Sequence, residues 1–213
     1  MTVQAKQIPL SSQGTFVCRN SGGAILVLMR HGESEGNRRN VFTGWLDLPL
    51  TDDGRAEAKS AAKLMKDAGI GFDTAFASDL TRARESAEIV VACLGNFVPV
   101  VARAALKERN YGALAGRDKY EVFREFGHDQ VLRWRRSFAE PQPGGESLGD
   151  TLERLRPFFE QEIERLLLRG RNVLVVAHGS SVRALIVLIE GRPSWQIGGV
   201  EIATGEALCY CVR

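Results

Sequence analysis

Two stretches of this chain repeat one arrangement. Ala24-Ile25-Leu26-Val27-Leu28 runs through Met29-Arg30 into His31-Gly32, and Val173-Leu174-Val175-Val176-Ala177 runs into His178-Gly179. Continuous apolar runs of this length, each closed by a His-Gly turn, read as strands buried on both faces. In an open α/β sheet, ligands gather just beyond the carboxyl ends of the strands. The chain has three histidines in all, and two of them are delivered to that rim. One His-Gly turn alone reads as a loop whose imidazole caps a carbonyl. A second copy, and Arg30 beside the first, point instead to one site assembled from distant parts of the sequence.

The pieces between these runs alternate between helix-like and strand-like. Thr51 offers an N-cap for a helix through about Lys66, with Ala58, Ala61, Ala62, Leu64 and Met65 on its packed face and Gly69 ending it. Phe72 to Ala77 and Val98 to Val101 read as strands, with a helix from Leu80 to about Leu94 between them, capped by Ser78 or Asp79. Two short helices are predicted near 119–126 and 129–138. Pro141-Gln142-Pro143-Gly144-Gly145 is a break. Ser147 and Asp150 resemble a capping box opening a helix to about Leu168, and Pro157 should kink it. A strand from Arg171 to Ala177, a helix from Ser181 to Ile189 and a strand from Glu206 to Val212 complete the pattern. The alternation predicts an α/β fold, a three-layer αβα with a mostly parallel central sheet.

At 213 residues the chain suits one α/β domain. Its 44% apolar and 25% charged content are ordinary for a globular protein, and a formal charge of +2 argues against nucleic acid or an acidic membrane as partner. No apolar stretch approaches the roughly 20 residues of a membrane span, and the start shows no signal-peptide pattern, so a cytoplasmic location is expected. Residues 1–23, rich in Ser, Gln, Gly and Asn, read as a flexible extension before a single catalytic domain over 24–213. The four cysteines, Cys18, Cys93, Cys209 and Cys211, suggest packing rather than a disulfide framework or a metal site.

Among the charges, Arg82 falls in the first turn of its predicted helix, where a cation opposes the positive helix end. Either it reaches solvent, or it pairs with Glu85 or Asp79, or an anion lies between it and the free helix amides. Arg133, Arg135 and Arg136 flank Trp134 on a short helix whose apolar partners suggest docking, with some of the arginines turned inward. Glu108 lies in a loop, and spacing alone does not single it out.

Arg30-His31-Gly32-Glu33-Ser34, the later His178-Gly179 and the intervening Arg82 resemble the histidine phosphatase superfamily. Finer motifs are similar to its cofactor-dependent phosphoglycerate mutase branch: Asn37, Phe42-Thr43-Gly44-Trp45, Ser78-Asp79-Leu80-Thr81-Arg82-Ala83, Glu108-Arg109-Asn110-Tyr111-Gly112-Ala113-Leu114, Gly116 with Lys119, Trp134-Arg135-Arg136, His178-Gly179-Ser180-Ser181-Val182-Arg183-Ala184-Leu185, and Ala203-Thr204-Gly205. The likeness spans roughly Ala24 to Tyr210. Ser180 departs from it, standing where many members carry asparagine. The stretch between Ala139 and Ser147 is also short where longer members have an insertion.

The resemblance implies a phosphoglycerate mutase-like fold and interconversion of 3-phosphoglycerate and 2-phosphoglycerate through a phosphohistidine, primed by 2,3-bisphosphoglycerate and needing no metal. His31 is then the nucleophile, Arg30, Arg82 and His178 stabilise the transferring phosphoryl group, and Glu108 shuttles the proton. Asn37 and the Gly179 amide add donors. Arg109, Tyr111, Lys119, Arg135 and Arg136 hold the glycerate carboxylate and the other phosphate, while Ser34, Thr43, Gly44 and Ser180 line the same pocket. Such cationic contacts at the far end favour a mutase over a phosphatase, because a mutase must retain its bisphosphate while that ligand turns over. Family members assemble as homodimers or homotetramers, and the resemblance implies no nucleic-acid or membrane partner.

Overall fold

The computed structural model describes residues 4–95 and 97–213. Its strands are β1 (Ala5–Ile8), β2 (Ala24–Arg30), β3 (Thr74–Ser78), β4 (Val100–Arg103), β5 (Val173–Ala177) and β6 (Ala207–Val212). They form one sheet in the order β1-β6-β2-β5-β3-β4. The ladders β2–β5, β5–β3 and β3–β4 are parallel, and β6 runs antiparallel to both β2 and β1. Around the sheet lie α1 (Ser12–Asn20), α2 (Glu35–Arg38), α3 (Asp52–Asp67), α4 (Thr81–Leu94), α5 (Lys119–Phe126), α6 (His128–Arg136), α7 (Leu148–Phe158), α8 (Glu164–Leu168) and α9 (Gly179–Glu190). The mostly parallel αβα reading holds.

Strand alternation builds two cores. Ile25, Val27, Met29, Leu174 and Val176 face Ala58, Ala62 and Met65 of α3 and Ala83, Ala87 and Val90 of α4. Leu26, Leu28, Val173 and Val175 face the other way, onto Leu152 and Leu155 of α7, Leu167 of α8 and Val182 and Leu185 of α9. Residues 25–29 and 173–177 are essentially inaccessible, and each such Val, Leu or Ile contributes roughly 1.5–3 kcal/mol. That burial anchors the β2 and β5 ends on which both His-Gly turns sit. A third cluster of Phe42, Leu114, Val122, Val131 and Trp134 fixes α5 and α6 against the 42–46 loop.

The amino-terminal segment departs from expectation. Residues 1–3 lie outside the described residues, but β1 pairs with the edge of β6, from Ala5 opposite Val212 to Ile8 opposite Cys209. Helix α1 follows, with Ser11 accepting from the Gly14 amide. The Thr15 hydroxyl donates to the Ala68 carbonyl at 2.7 Å, and Cys18 is bonded to Cys211. The segment is therefore ordered, and the cysteine reading is corrected with it. Polar composition says nothing about the open sheet edge and distant thiol that hold it. Cys209 is buried and free, and Cys93 is exposed.

Two local signals also resolve differently. Neither Ser78 nor Asp79 caps α4. Asp47, from the loop before α3, accepts from the Thr81 amide at 2.7 Å and the Thr81 hydroxyl at 2.8 Å. After Pro157 the helical ladder widens into a π segment, Phe159–Ile163, before α8 resumes. Proline has no N–H to give, and a shift in hydrogen-bond register accommodates that loss. The capping box behaves as read: Ser147 and Asp150 exchange bonds at the start of α7.

Candidate active site

His31 leaves β2 with its backbone tied on both sides. Its amide donates to the Ala177 carbonyl at 3.0 Å, and its carbonyl accepts from the Gly205 amide. Gly32 follows because nothing larger fits: a Cβ there would stand 2.1 Å from the Gly54 carbonyl oxygen. This close backbone approach presses the His31 turn against the start of α3. The ring Nδ1 lies 2.6 Å from the Gly32 carbonyl, which makes Nδ1 the protonated nitrogen and leaves the lone pair on Nε2. Burial, then Arg82 and Arg30, hold the His31 pKa well below its ordinary value of 6.5, against a smaller opposing pull from the Gly32 carbonyl.

His178 precedes α9 at the end of β5, with its ring centroid 4.9 Å from that of His31. It too is pushed well below 6.5, by burial first and then by Arg82, His31 and Arg30. Neither of its ring nitrogens has a partner, so it is a neutral hydrogen-bond donor rather than a cation. Arg82 is fully buried, and neither solvent nor Glu85 nor Asp79 takes it. Its guanidinium donates to the carbonyls of Leu46 at 2.8 Å and Gly44 at 2.9 Å. The peptide dipoles hold the group in place without neutralising its charge.

Above this floor opens a polar pocket of about 110 Å³, walled by Arg30, Asn37, Thr43, Glu108, Tyr111, Lys119, Arg135, Gly179, Ser180 and Arg183 with Val41, Phe42 and Glu201. The Nε atoms of Arg30, Arg82, Arg109 and Arg183 are buried without acceptors, as are the His178 nitrogens. Buried donors left unpaired cost roughly 1–3 kcal/mol each, and those of Arg30 and Arg183 in the pocket wall, with Arg82 and His178 buried beside it, fit an anion with several acceptor oxygens. Arg30 Nε, Glu108 Oε2 and Arg183 Nη2 all lie within about 4 Å of where a Cβ of Gly179 would be. Lys119 is lowered from its ordinary pKa, by burial first and then by Arg135 and Arg30. A larger groove, about 580 Å³, lies between α3 and the 204–207 turn, but Asp53, Glu57 and Glu206 make it acidic and unsuited to an anion.

The Glu108 carboxylate accepts through Oε1 from the amides of Arg109 at 2.8 Å and Ser180 at 3.2 Å. Its other oxygen faces Gly179 in the pocket. Arg154 supports this loop from behind, donating to the carbonyls of Ala105, Lys107 and Glu108 while pairing with Glu146. The 139–147 stretch is tied to the same loop: Gln142 donates to the Asn110 carbonyl, and the Glu146 amide donates there at 2.8 Å.

Residues 26–210 match the model of the histidine phosphatase superfamily, branch 1. The chain belongs to that superfamily. A Methylocella silvestris protein named 2,3-bisphosphoglycerate-dependent phosphoglycerate mutase is 46% identical over 89% of this chain and 92% of its own length. A Nitrobacter hamburgensis protein of the same name is 49% identical over 87% and 90%. Among solved structures, "Mycobacterial hydrolase 1" superposes with a TM-score of 0.78 at 24% identity, covering 87% of this chain and 88% of that one, a likeness of fold.

In this histidine phosphatase the predicted residues divide into three groups. Arg30, Asn37, Thr43, Glu108, Tyr111, Lys119, Arg135, Gly179 and Ser180 meet at the pocket wall, with His31, Arg82 and His178 buried beside it. Ser34, Gly44, Arg109 and Arg136 are not in that wall. The Ser34 hydroxyl caps α2 and donates to Asn37 Oδ1 at 2.8 Å, so it orients Asn37. Gly44 turns the chain at φ +51° and gives its carbonyl to Arg82. Arg109 lies buried over the Tyr111 ring and donates to the Trp134 carbonyl, and Arg136 pairs with Glu201. Arg183 and Glu201 were absent from the predicted set, although Arg183 shares one helical face with Gly179 and Ser180, a signal that i, i+3 and i+4 spacing carries. Nothing local marks Glu201. Among the described residues, no three His, Cys, Asp or Glu side chains group as metal ligands, and no helix is long and apolar enough to cross a membrane.

Proposed function

We propose that this chain is a 2,3-bisphosphoglycerate-dependent phosphoglycerate mutase in which His31 carries the phosphoryl group. The observation that supports this most strongly is the neutral His31 imidazole beneath a pocket of unpaired cationic donors. The pocket also fits a bisphosphate, since Lys119, Arg135 and Arg183 line it together with Arg30, and Arg82 lies buried beside it. When bound, 2,3-bisphosphoglycerate supplies the phosphoryl group that charges His31.

His31 Nε2 attacks phosphorus while Nδ1–H stays on the Gly32 carbonyl, so the ring accepts positive charge without reorienting. Arg30, Arg82, the Gly179 amide and a His178 N–H sit where negative charge spreads over the equatorial oxygens, and phosphoryl transfer asks for little else. Glu108, held by two backbone amides, takes the proton from the attacking hydroxyl and returns it to the leaving one. Such acid–base help is worth about 10²–10⁴-fold. Lys119, Tyr111 and Arg135 hold the remaining anionic groups of the phosphoglycerate, while Arg109 braces Tyr111 from behind.

The test is a coupled 3-phosphoglycerate assay in chelator, with and without 2,3-bisphosphoglycerate. Turnover is expected to need priming and to ignore the chelator. His31→Ala should abolish both turnover and acid-labile phosphate on the protein. Phosphate release without the bisphosphate would make the chain a phosphatase, and labile phosphate retained by His31→Ala would move the nucleophile elsewhere.

A further inference from the structure

The pocket contains a second carboxylate, and it sits where an anionic ligand should be repelled. Glu201 lies in the wall beside Arg135 and Arg183. It is ion-paired with Arg136, whose other nitrogen donates to the Gly198 carbonyl at 2.7 Å, and it stands 3.8 Å from Arg183 Nη2. Burial would raise its pKa, but the hydrogen bond from Arg136 and the charges of Arg136, Arg183 and Arg135 outweigh this and hold it below the ordinary carboxylate value. The partners differ in freedom. The Glu201 side chain is 68% exposed and can swing into water, whereas that of Arg183 is 13% exposed and fixed among its neighbours.

We infer that Glu201 is an internal counter-ion, held by Arg136 beside Arg183 at the pocket wall until the second anion of a two-headed ligand exchanges for it on Arg183. This rests on the mutase reading, which requires the pocket to hold a second anion besides the transferring phosphoryl group. An empty cluster of three arginines repels itself and attracts stray single anions, and a tethered carboxylate prevents both. A ligand with a phosphate and a second anion displaces the carboxylate because its phosphate is already anchored at the floor, which makes the second contact intramolecular. Ligands with one anion gain nothing from the exchange. Glu201 therefore lowers affinity for two-headed ligands and acts as a positioning residue on Arg183, itself held in place by Arg136.

A matched pair of non-transferable probes tests this: 3-phosphonopropionate, and propylphosphonate, which lacks the carboxylate. Each is titrated calorimetrically into the wild type and Glu201→Gln at fixed ionic strength. The variant is expected to bind 3-phosphonopropionate roughly tenfold more tightly and propylphosphonate less than about twofold more tightly. In an Arg136→Met background the same change should shrink to under about threefold, because that guanidinium holds the carboxylate beside Arg183. Equal gains for both probes would reduce Glu201 to a diffuse field effect, and no gain, or a loss, would overturn the exchange outright. Wild-type turnover of 3-phosphoglycerate, measured on the same preparation, separates the two claims. Its absence would defeat the mutase reading, while the titrations still decide Glu201.

Discussion

A nitrogen that is to bond phosphorus must carry a lone pair at working pH, and the surroundings of His31 ensure it. Burial excludes the charged ring, Arg82 and Arg30 repel it, and the Gly32 carbonyl chooses which nitrogen keeps its proton. His178 is held neutral by burial, Arg82, His31 and Arg30, so the proposed reaction uses it as a hydrogen-bond donor rather than as a cation. Both folded pKa values lie below the unfolded value of about 6.5. Between the two values the unfolded chain binds protons that the fold refuses. Stability is therefore full above about pH 6.5 and declines as pH falls from there towards the folded values. Thermal melts from pH 7.5 to 5.5 should show a falling Tm, with a shallower fall for His178→Asn. A flat wild-type profile would mean that the folded imidazoles protonate normally. Arg30 and Gly32 are neighbours of His31 in sequence, but burial and Arg82 come from the rest of the fold. His31 and His178 were recognisable from their repeated setting, but their protonation depends on Arg82, which approaches from another helix.

At the scale of elements, the pocket is a meeting of ends. Strands β2 and β5 terminate side by side and place the two histidines, α9 starts at Gly179, and α7 supports the loop that carries Glu108. Arg154 of α7 reaches the carbonyls of Ala105, Lys107 and Glu108, and Glu146 closes the brace by accepting from the Asn110 amide at 2.9 Å. The Ser181 hydroxyl donates to the Lys107 carbonyl, and the Trp45 indole donates to that of Glu108. Arg154→Met should cost about 1–3 kcal/mol of stability through carbonyls left unpaired. Because misplacing a reacting group by 1 Å can cost about 10²-fold, kcat should fall well before KM rises. Steady-state kinetics and melting of one preparation test this, and an unchanged kcat in a folded variant would show that the loop orders itself. The helix was legible from Ser147 and its periodicity. The brace was not, because an arginine at a half-buried helix position looks like any solvated one until its acceptors are in place.

Across the whole molecule, the two ends of the chain close on each other. Strand β1 completes the edge of β6, and Cys18–Cys211 joins segments 193 residues apart. A cross-link over so long a loop restricts the unfolded chain and stabilises by roughly 2–5 kcal/mol, which at this size corresponds to a Tm difference on the order of 10 °C. Reductant, or Cys18→Ser, should lower Tm by that much, and a melt insensitive to both would show that the bond contributes nothing to the fold. The turns carrying His31 and His178 belong to the opposite ends of the strands, so phosphorylation of His31 should survive reduction. The sequence alone determined the α/β layering, the two histidine strands and the family, because periodicity and short motifs report on neighbours a few residues away. Only the tertiary structure decided that residues 4–23 pack onto the sheet, that Asp47 caps α4, that Arg154 braces the Glu108 loop and that Glu201 faces Arg183. Each of these is a contact between groups far apart in the chain, and its energy exists only once both have been brought together.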